Sequence, residues 1–400
     1  MNSRPAPVPR RSFLATTAAA TSFTLLQPAT VFGAAANSQI AVGLIGCGGR
    51  GGWIADLFVK TGKYRLAAVA DYFQDKIDAV GNRLGVEPGR RYPWLKGYQR
   101  LLEAPLDAVI VQSPPSFHPE HCAAAVDAGK HVFVAKPIAV DAPGCLSIGD
   151  SGKRATGKKL VFLVDFQTRA HPLYREALRR VRQGDLGPIV LCEAHYPWSG
   201  GGREVPPESL EGKLRRWYHV KEISGDFIVE QAIHALDVAT WIIDSEPVKA
   251  VGMGGQKLRP KGGIWDHFAV NYAFANGVPL SFTCIQTIPE MRDEIVARAY
   301  GAEGYIYTDY FGSVWIRGND PFPGGSVGNL YTDGTIINIQ EFHQFIAEGR
   351  YDNPTVAPSV RSNLTAVLGR EAAYRGGEYT MAELLAANAK LTLDYSSLRA

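Results

Sequence analysis

The stretch Val42–Gly51 constrains this chain more than any other. It reads Val-Gly-Leu-Ile-Gly-Cys-Gly-Gly-Arg-Gly. The apolar run from Ile40 to Ile45 predicts a buried strand. It breaks into Gly46-x-Gly48-x-x-Gly51, and a helical pattern follows from Trp53 to Lys60. Strand, glycine turn and helix form the context in which three such glycines bind a dinucleotide. Gly46 would permit the tight turn and Gly48 would admit a pyrophosphate to the backbone. Gly51 would let the helix pack close, with its first N–H groups facing the anion. Gly49 and Arg50 complete the loop and are assigned to the cofactor with it. In a chain with 42 glycines the pattern alone says little. Asp71 supplies the second point: it ends the apolar run Leu66–Ala70, twenty residues after Gly51. An acid there accepts hydrogen bonds from ribose hydroxyls and repels a 2′-phosphate, which favours NAD over NADP.

Residues 1–36 read as a leader rather than as fold. Pro9-Arg10-Arg11-Ser12-Phe13-Leu14 is a twin-arginine export signature, Ala15–Leu26 a weakly apolar stretch, and Ala34-Ala35-Ala36 a small-residue cleavage site. The expectation is a mature chain starting near Asn37, exported to the periplasm. That route carries folded proteins, so a cofactor would be loaded in the cytoplasm, held tightly and recycled within the site. A net charge of +3 gives no reason to expect a nucleic-acid partner. No apolar span in the body is long enough to predict membrane insertion. The five cysteines are scattered, with no CxxC pair, and read as buried thiols. His118-x-x-His121 has metal-like spacing without a third ligand pattern, so no metal is expected.

From Asp71 to Asp165, strand and helix alternate. Helices are expected over Phe73–Leu84, Tyr98–Leu102, Glu120–Ala128 and Ala142–Thr156, and strands over Asp107–Gln112, His131–Val134 and Lys159–Val164. The strands are short and apolar throughout, as in a parallel sheet covered on both faces. Ligands of such sheets sit at the carboxyl ends of the strands, where Gly46, Asp71, Ser113-Pro114 and Lys136 fall. Beyond Asp165, strands alternate in polarity, as in Phe268, Val270, Tyr272 and Phe274, and Asn276-Gly277 signals a hairpin. Residues 321–329 read as a loop, followed by helices over Ile337–Glu348 and Ser359–Tyr374. The fold class expected is α/β. A doubly wound parallel domain spans residues 37–165. An α+β domain with an open, mostly antiparallel sheet spans 166–400, its late helices placed to pack back on the first. The sheet's free face suggests oligomerisation.

An enzyme that moves hydride from an alcohol needs a base for the hydroxyl proton. Lys136, at a strand end with Pro137 stiffening the turn, is the first candidate. The second is Glu230-x-x-x-His234-x-x-Asp237. If 227–243 is one helix, Glu230 and His234 share a face. His234 would then be the acid–base residue, Glu230 would bind a hydroxyl or orient the ring, and Asp237 would hold the far imidazole nitrogen. Arg169, Trp217 and Tyr218 are assigned to the substrate, Trp217 as the wall for a sugar ring. Trp198 and the glycines after it suggest a mobile loop.

Across residues 38–395 the chain resembles the Gfo/Idh/MocA oxidoreductases. Gly46-Cys-Gly48-Gly-Arg-Gly51 is similar to the family's nucleotide loop. Ser113-Pro114-Pro115-Ser-Phe-His118 is similar to its Pro-x-x-x-His turn, which brings His118 into the cofactor set. Lys136-Pro137 matches the end of its Glu-Lys-Pro, and Glu230-x-x-x-His234-x-x-Asp237 resembles its Asp-x-x-x-His-x-x-Asp. The resemblance implies a Rossmann domain, NAD, a homodimer or homotetramer, and Lys136 and His234 acting at a hydroxyl of a sugar, sugar acid or cyclitol. Two departures stand out: Ala135 replaces the usual Glu, and Glu230 is a methylene longer than the usual Asp. A redox-neutral glycoside hydrolase on the same scaffold, and a sugar-binding protein with a vestigial nucleotide site, are the rival readings.

Overall fold

The computed structural model describes residues 39–400 except Pro206 and Lys261; the expected leader, 1–36, lies outside the described residues. Six strands form the first sheet: β1 (Ile40–Ile45), β2 (Tyr64–Asp71), β3 (Arg91–Pro93), β4 (Ala108–Val111), β5 (His131–Ala135) and β6 (Phe162–Asp165). Their order is β3-β2-β1-β4-β5-β6, and every pairing is parallel. The order reverses between β1 and β4, where a dinucleotide crevice belongs. β4 and β6 are buried at every residue, which is why they carry no polar alternation.

One cover of this sheet comes from the far end of the chain. Helix Leu330–Glu348 sets Ile339 and Phe342 among Val42, Leu44, Phe58 and Phe133. The Phe342 ring lies edge-on to Phe133 at 5.6 Å. The Tyr64 hydroxyl donates to the Ile339 carbonyl at 2.9 Å. Helix Val356–Arg375 then runs between the two sheets. Its Asn363 accepts from the Ile138 N–H at 3.0 Å and donates to the Ala139 carbonyl at 3.0 Å. Its buried Arg370 donates to the carbonyls of Val140 (2.7 Å) and Gly225 (2.9 Å). These bonds pin the turn that follows Lys136.

The second sheet has nine strands. They are β7 (Ile189–Trp198), β8 (Pro247–Gly255), β9 (His267–Phe274), β10 (Pro279–Gln286), β11 (Val296–Gly301), β12 (Gly304–Asp309), β13 (Ser313–Gly318), β14 (Phe322–Ser326) and β15 (Glu378–Thr380). The order is β14-β13-β12-β11-β7-β10-β9-β8-β15. The sheet is antiparallel except where β7 runs beside β10. Phe268, Val270, Tyr272 and Phe274 are buried while Ala269 and Asn271 face out, so one face is packed and the other open. Two expectations need correction. The 321–329 loop contains β14, a partner of β13. Residues Pro172–Gln183, where only sparse helix was expected beyond Asp165, form a helix. Its apolar stripe is Tyr174, Ala177 and Leu178, His171 caps its start, and Gly184 ends it with φ +101°.

Candidate active site

The nucleotide loop separates its glycines by what surrounds them. Gly46 has φ +96°, and a Cβ there would lie 2.5 Å from the Gln112 and Ser113 backbone. A Cβ on Gly51 would lie 1.9 Å from the Gly46 carbonyl oxygen. These two glycines are demanded by the protein itself. At Gly48 and Gly49 a Cβ would meet nothing within 4 Å, so their bareness leaves room for a ligand. The helix they open has no side-chain cap and no acid in its first turn, which leaves its N–H groups to an anion. Asp71 accepts from the backbone N–H of Cys47 (2.7 Å) and of Phe73 (2.9 Å), one bond to each oxygen. Burial pushes its pKa up and the two N–H groups pull it down. A cavity of about 440 Å³ joins Gly46, Gly48, Gly49, Asp71, Ser113 and Pro114. The buried Gln112 amide beside it has no partner among the described residues. Arg215 also lines this cavity, with both its terminal nitrogens bonded to Asp75 at 3.1 and 2.9 Å. The site fits a dinucleotide.

Arg50 and His118, expected at the cofactor, have their side chains engaged by the protein itself. Arg50 donates to Asp165 at 2.6 Å and to the Tyr331 hydroxyl at 2.7 Å. His118 sets its Nε2 2.7 Å from the Ser113 carbonyl and its Nδ1 2.8 Å from the Pro137 carbonyl, and the neutral ring donates to one of the two, tying strand-end loops together. Burial depresses its pKa to about 4 against the upward pull of those carbonyls.

At the end of β5, Lys136 lies almost fully buried. Its ammonium donates to the Glu230 carbonyl at 2.5 Å and approaches the Glu230 carboxylate at 3.5 Å. The carbonyl is available because the expected single helix is broken. Phe227–Glu230 and Ile233–Ile243 are separate helices, and the His234 N–H turns to Gln231 instead of Glu230. The Gln231 side chain between them is drawn into bonds with Tyr218 and Gln286. Burial lowers the Lys136 pKa; Glu230 opposes and Arg50 reinforces the shift. His234 is buried, and its pKa falls well below the usual histidine range, first by burial and then by Lys136 and Arg50. It is therefore neutral at physiological pH. Its Nδ1 has no partner among the described residues, and neither does the hydroxyl of Tyr310, whose ring lies 5.5 Å away. Two buried, unanswered polar atoms on neighbouring rings call for a partner that the described residues do not supply.

Asp237 does not hold His234. Its Oδ1 accepts from Arg169 Nε (3.0 Å) and Nη2 (2.8 Å), and Arg169 stacks over Trp241 at 5.0 Å. Asp237 and Arg169 are thus a buried brace, with Arg169, expected at the substrate, turned to Asp237. Trp217, expected as a sugar wall, lines the cavity that also holds Asp71. The Tyr218 hydroxyl bonds Gln231 and Gln286. The sequence reading missed Tyr310, which merely follows a strand, and the Arg50–Asp165 pair. Asp165 is fully buried and stands in register beside Ala135, so a carboxylate from the next strand occupies the layer that Ala135 leaves bare.

The model described as "Oxidoreductase family, NAD-binding Rossmann fold" matches residues 40–162. The GFO/IDH/MocA C-terminal domain matches residues 174–307, so the two together take in more than half the chain. The chain belongs to the Gfo/Idh/MocA family. Among relatives, scyllo-inositol 2-dehydrogenase (NAD(+)) of Bacillus subtilis is 26% identical over 274 residues, 67% of this chain and 73% of the relative. Inositol 2-dehydrogenase 3 of Saccharopolyspora erythraea is 31% identical over 196 residues, and the match spans 49% of each chain. Levoglucosan dehydrogenase in complex with NADH and levoglucosan shares the fold, with a TM-score of 0.72 at 20% identity. That match covers 86% of this chain and all of the other.

Proposed function

We propose that this Gfo/Idh/MocA oxidoreductase uses NAD to oxidise a hydroxyl of a sugar, sugar acid or cyclitol. The observation that carries the reading is Lys136, buried on Glu230 at the strand end beside the glycine loop, with the buried, unpartnered polar atoms of His234 and Tyr310 nearby. The names of the relatives, inositol dehydrogenases and levoglucosan dehydrogenase, support the substrate class. The loop glycines and Asp71 would hold the dinucleotide, whose nicotinamide supplies the acceptor for the carbon-bound hydrogen and its electron pair. Lys136 in its neutral form takes the hydroxyl proton at Nζ as the carbonyl forms, and the Glu230 oxygens steady the resulting ammonium. His234, kept neutral, hydrogen-bonds a neighbouring hydroxyl and orients the ring. In the reverse direction the Lys136 ammonium polarises the carbonyl and returns the proton.

Arg10-Arg11 and the residues around them support export by the twin-arginine route, and export supports a cofactor loaded beforehand and recycled by a second substrate. The open sheet face, with Val251 and Met253 exposed on it, supports a homodimer or homotetramer. The test is a panel of sugars, sugar acids and cyclitols given to the purified protein with NAD or NADP, with reduced nicotinamide followed by absorbance. Reduction of NAD by a polyol is expected. Reduction of NADP alone would overturn the reading of Asp71, and no reduction of either the added or the protein-bound nicotinamide by any member would overturn the dehydrogenase reading.

A further inference from the structure

Two segments far apart in the chain meet at the Asp71 end of the nucleotide cavity. Residues 209–219 supply one wall, through Leu214, Arg215 and Trp217. They are latched to the end of β2: the Tyr72 hydroxyl donates to Glu211 at 2.8 Å, and Arg215 grips Asp75 while lying 4.0 Å over the Phe73 ring. The chain end lies against the same structure. Along 391–395 the residues alternate, with Leu391, Leu393 and Tyr395 turned inward and Thr392 and Asp394 exposed. Leu393, Tyr395 and Leu398 pack on the cluster of Leu214, Val220 and Ile223. The Leu391 N–H donates to Asp141 at 2.8 Å, the Leu95 N–H donates to the Arg399 carbonyl at 3.1 Å, and the Arg399 guanidinium covers the Trp94 ring at 4.6 Å. Trp94, Leu95 and Phe117 line the cavity themselves, so the chain end backs its lining directly.

We infer that residues 209–219 and 391–399 form a clasp that retains the dinucleotide from one turnover to the next. The inference rests on the dinucleotide reading of this cavity. Lifting of the 209–219 wall would widen the exit for an adenosine moiety. That breaks the Glu211 and Arg215 latches and the apolar contacts with the chain end together. A wall so braced slows the exchange of a bound dinucleotide. It also gives the chain end a purpose: its apolar residues lie outside the two sheets, yet are partly buried only here.

The experiment compares the full chain with one ending at Asn388, and with Leu393→Ser/Tyr395→Ser and Arg215→Ala in the full chain. Each is gel-filtered without nucleotide, its bound NAD(H) is counted after acid release, and exchange against isotopically labelled NAD is timed. Melting curves keep folding separate from retention. The full chain should hold near-stoichiometric NAD(H), and each variant should exchange it at least about tenfold faster. If the shortened chain does not fold, the two side-chain variants decide. Exchange as slow in the variants as in the full chain would overturn the clasp and leave the proposed function standing. A full chain that neither contains nor takes up NAD would overturn the nucleotide reading, and the clasp with it.

Discussion

Alanine at two glycines of the loop, three residues apart, should give opposite results. Gly48 has φ −64° and ψ −174°, a conformation open to any residue, and its added Cβ meets no protein atom within 4 Å. Gly48→Ala should therefore leave the empty protein within about 1 kcal/mol of the original, since a small loss at the helix start offsets a small gain from a stiffer unfolded chain. That is a change in Tm of no more than about 4 °C. The methyl group does occupy space assigned to the pyrophosphate, so NAD affinity should fall at least about tenfold, roughly 1.4 kcal/mol. Gly51→Ala places its methyl 1.9 Å from the Gly46 carbonyl oxygen, a backbone atom that cannot swing aside. Helix and strand must separate, at a cost of about 1–3 kcal/mol or more, and both Tm and binding should fall. The assays are thermal melting of the nucleotide-free protein and calorimetric titration with NAD. Wild-type NAD affinity in Gly48→Ala would refute the reasoning, because the open space beside Gly48 would then not be the cofactor's seat.

Other outcomes follow from the same geometry. Lys136→Met should lower kcat by about 10²–10⁴ while NAD titration stays near wild type. In the unsubstituted protein the rate of oxidation should rise with pH and level off below the usual lysine range, because burial lowers the Lys136 pKa; a profile flat with pH would contradict its role as base. Asp237→Ala strands the nearly buried Arg169 cation and should destabilise the fold by about 3–5 kcal/mol in denaturant titrations, with the loss read as stability before activity. His118 takes up its proton only near pH 4 when folded, but near pH 6.5 when unfolded. The unfolded state therefore binds more protons between those values, and stability should fall by about 3 kcal/mol as pH drops through that window. Denaturant midpoints should follow this fall in the original chain and follow it less steeply in His118→Asn.

What was legible in the sequence was local. The glycine loop, Asp71 and the short apolar strands each carry their signal within a few residues, and the two sheets follow from a change of period near Asp165. What was hidden depends on contacts across the fold. Residues 227–243 keep a helical apolar pattern, and only the pull of Tyr218 and Gln286 on Gln231 shows where the helix breaks to free the Glu230 carbonyl for Lys136. Asp165 reads as an ordinary strand end until Arg50, from the nucleotide loop, reaches it. Asp237 sits at the right spacing for His234, but Arg169 claims it with two hydrogen bonds. Trp217 neighbours Tyr218 in sequence yet belongs to the nucleotide end, because the short helix Leu210–Arg215 is latched to Tyr72 and Asp75. Helix Pro172–Gln183 is the exception, since its cap, stripe and terminal glycine were all present in the sequence.

The most direct measurement of the central claim is isotope transfer. The protein is incubated with NAD and the best polyol of the panel, deuterated at carbon, and the nicotinamide is isolated and weighed by mass spectrometry. The account predicts one deuterium carried from the substrate carbon to the nicotinamide ring, and none from deuterated water. Consumption of the polyol with no label in the nicotinamide would contradict it.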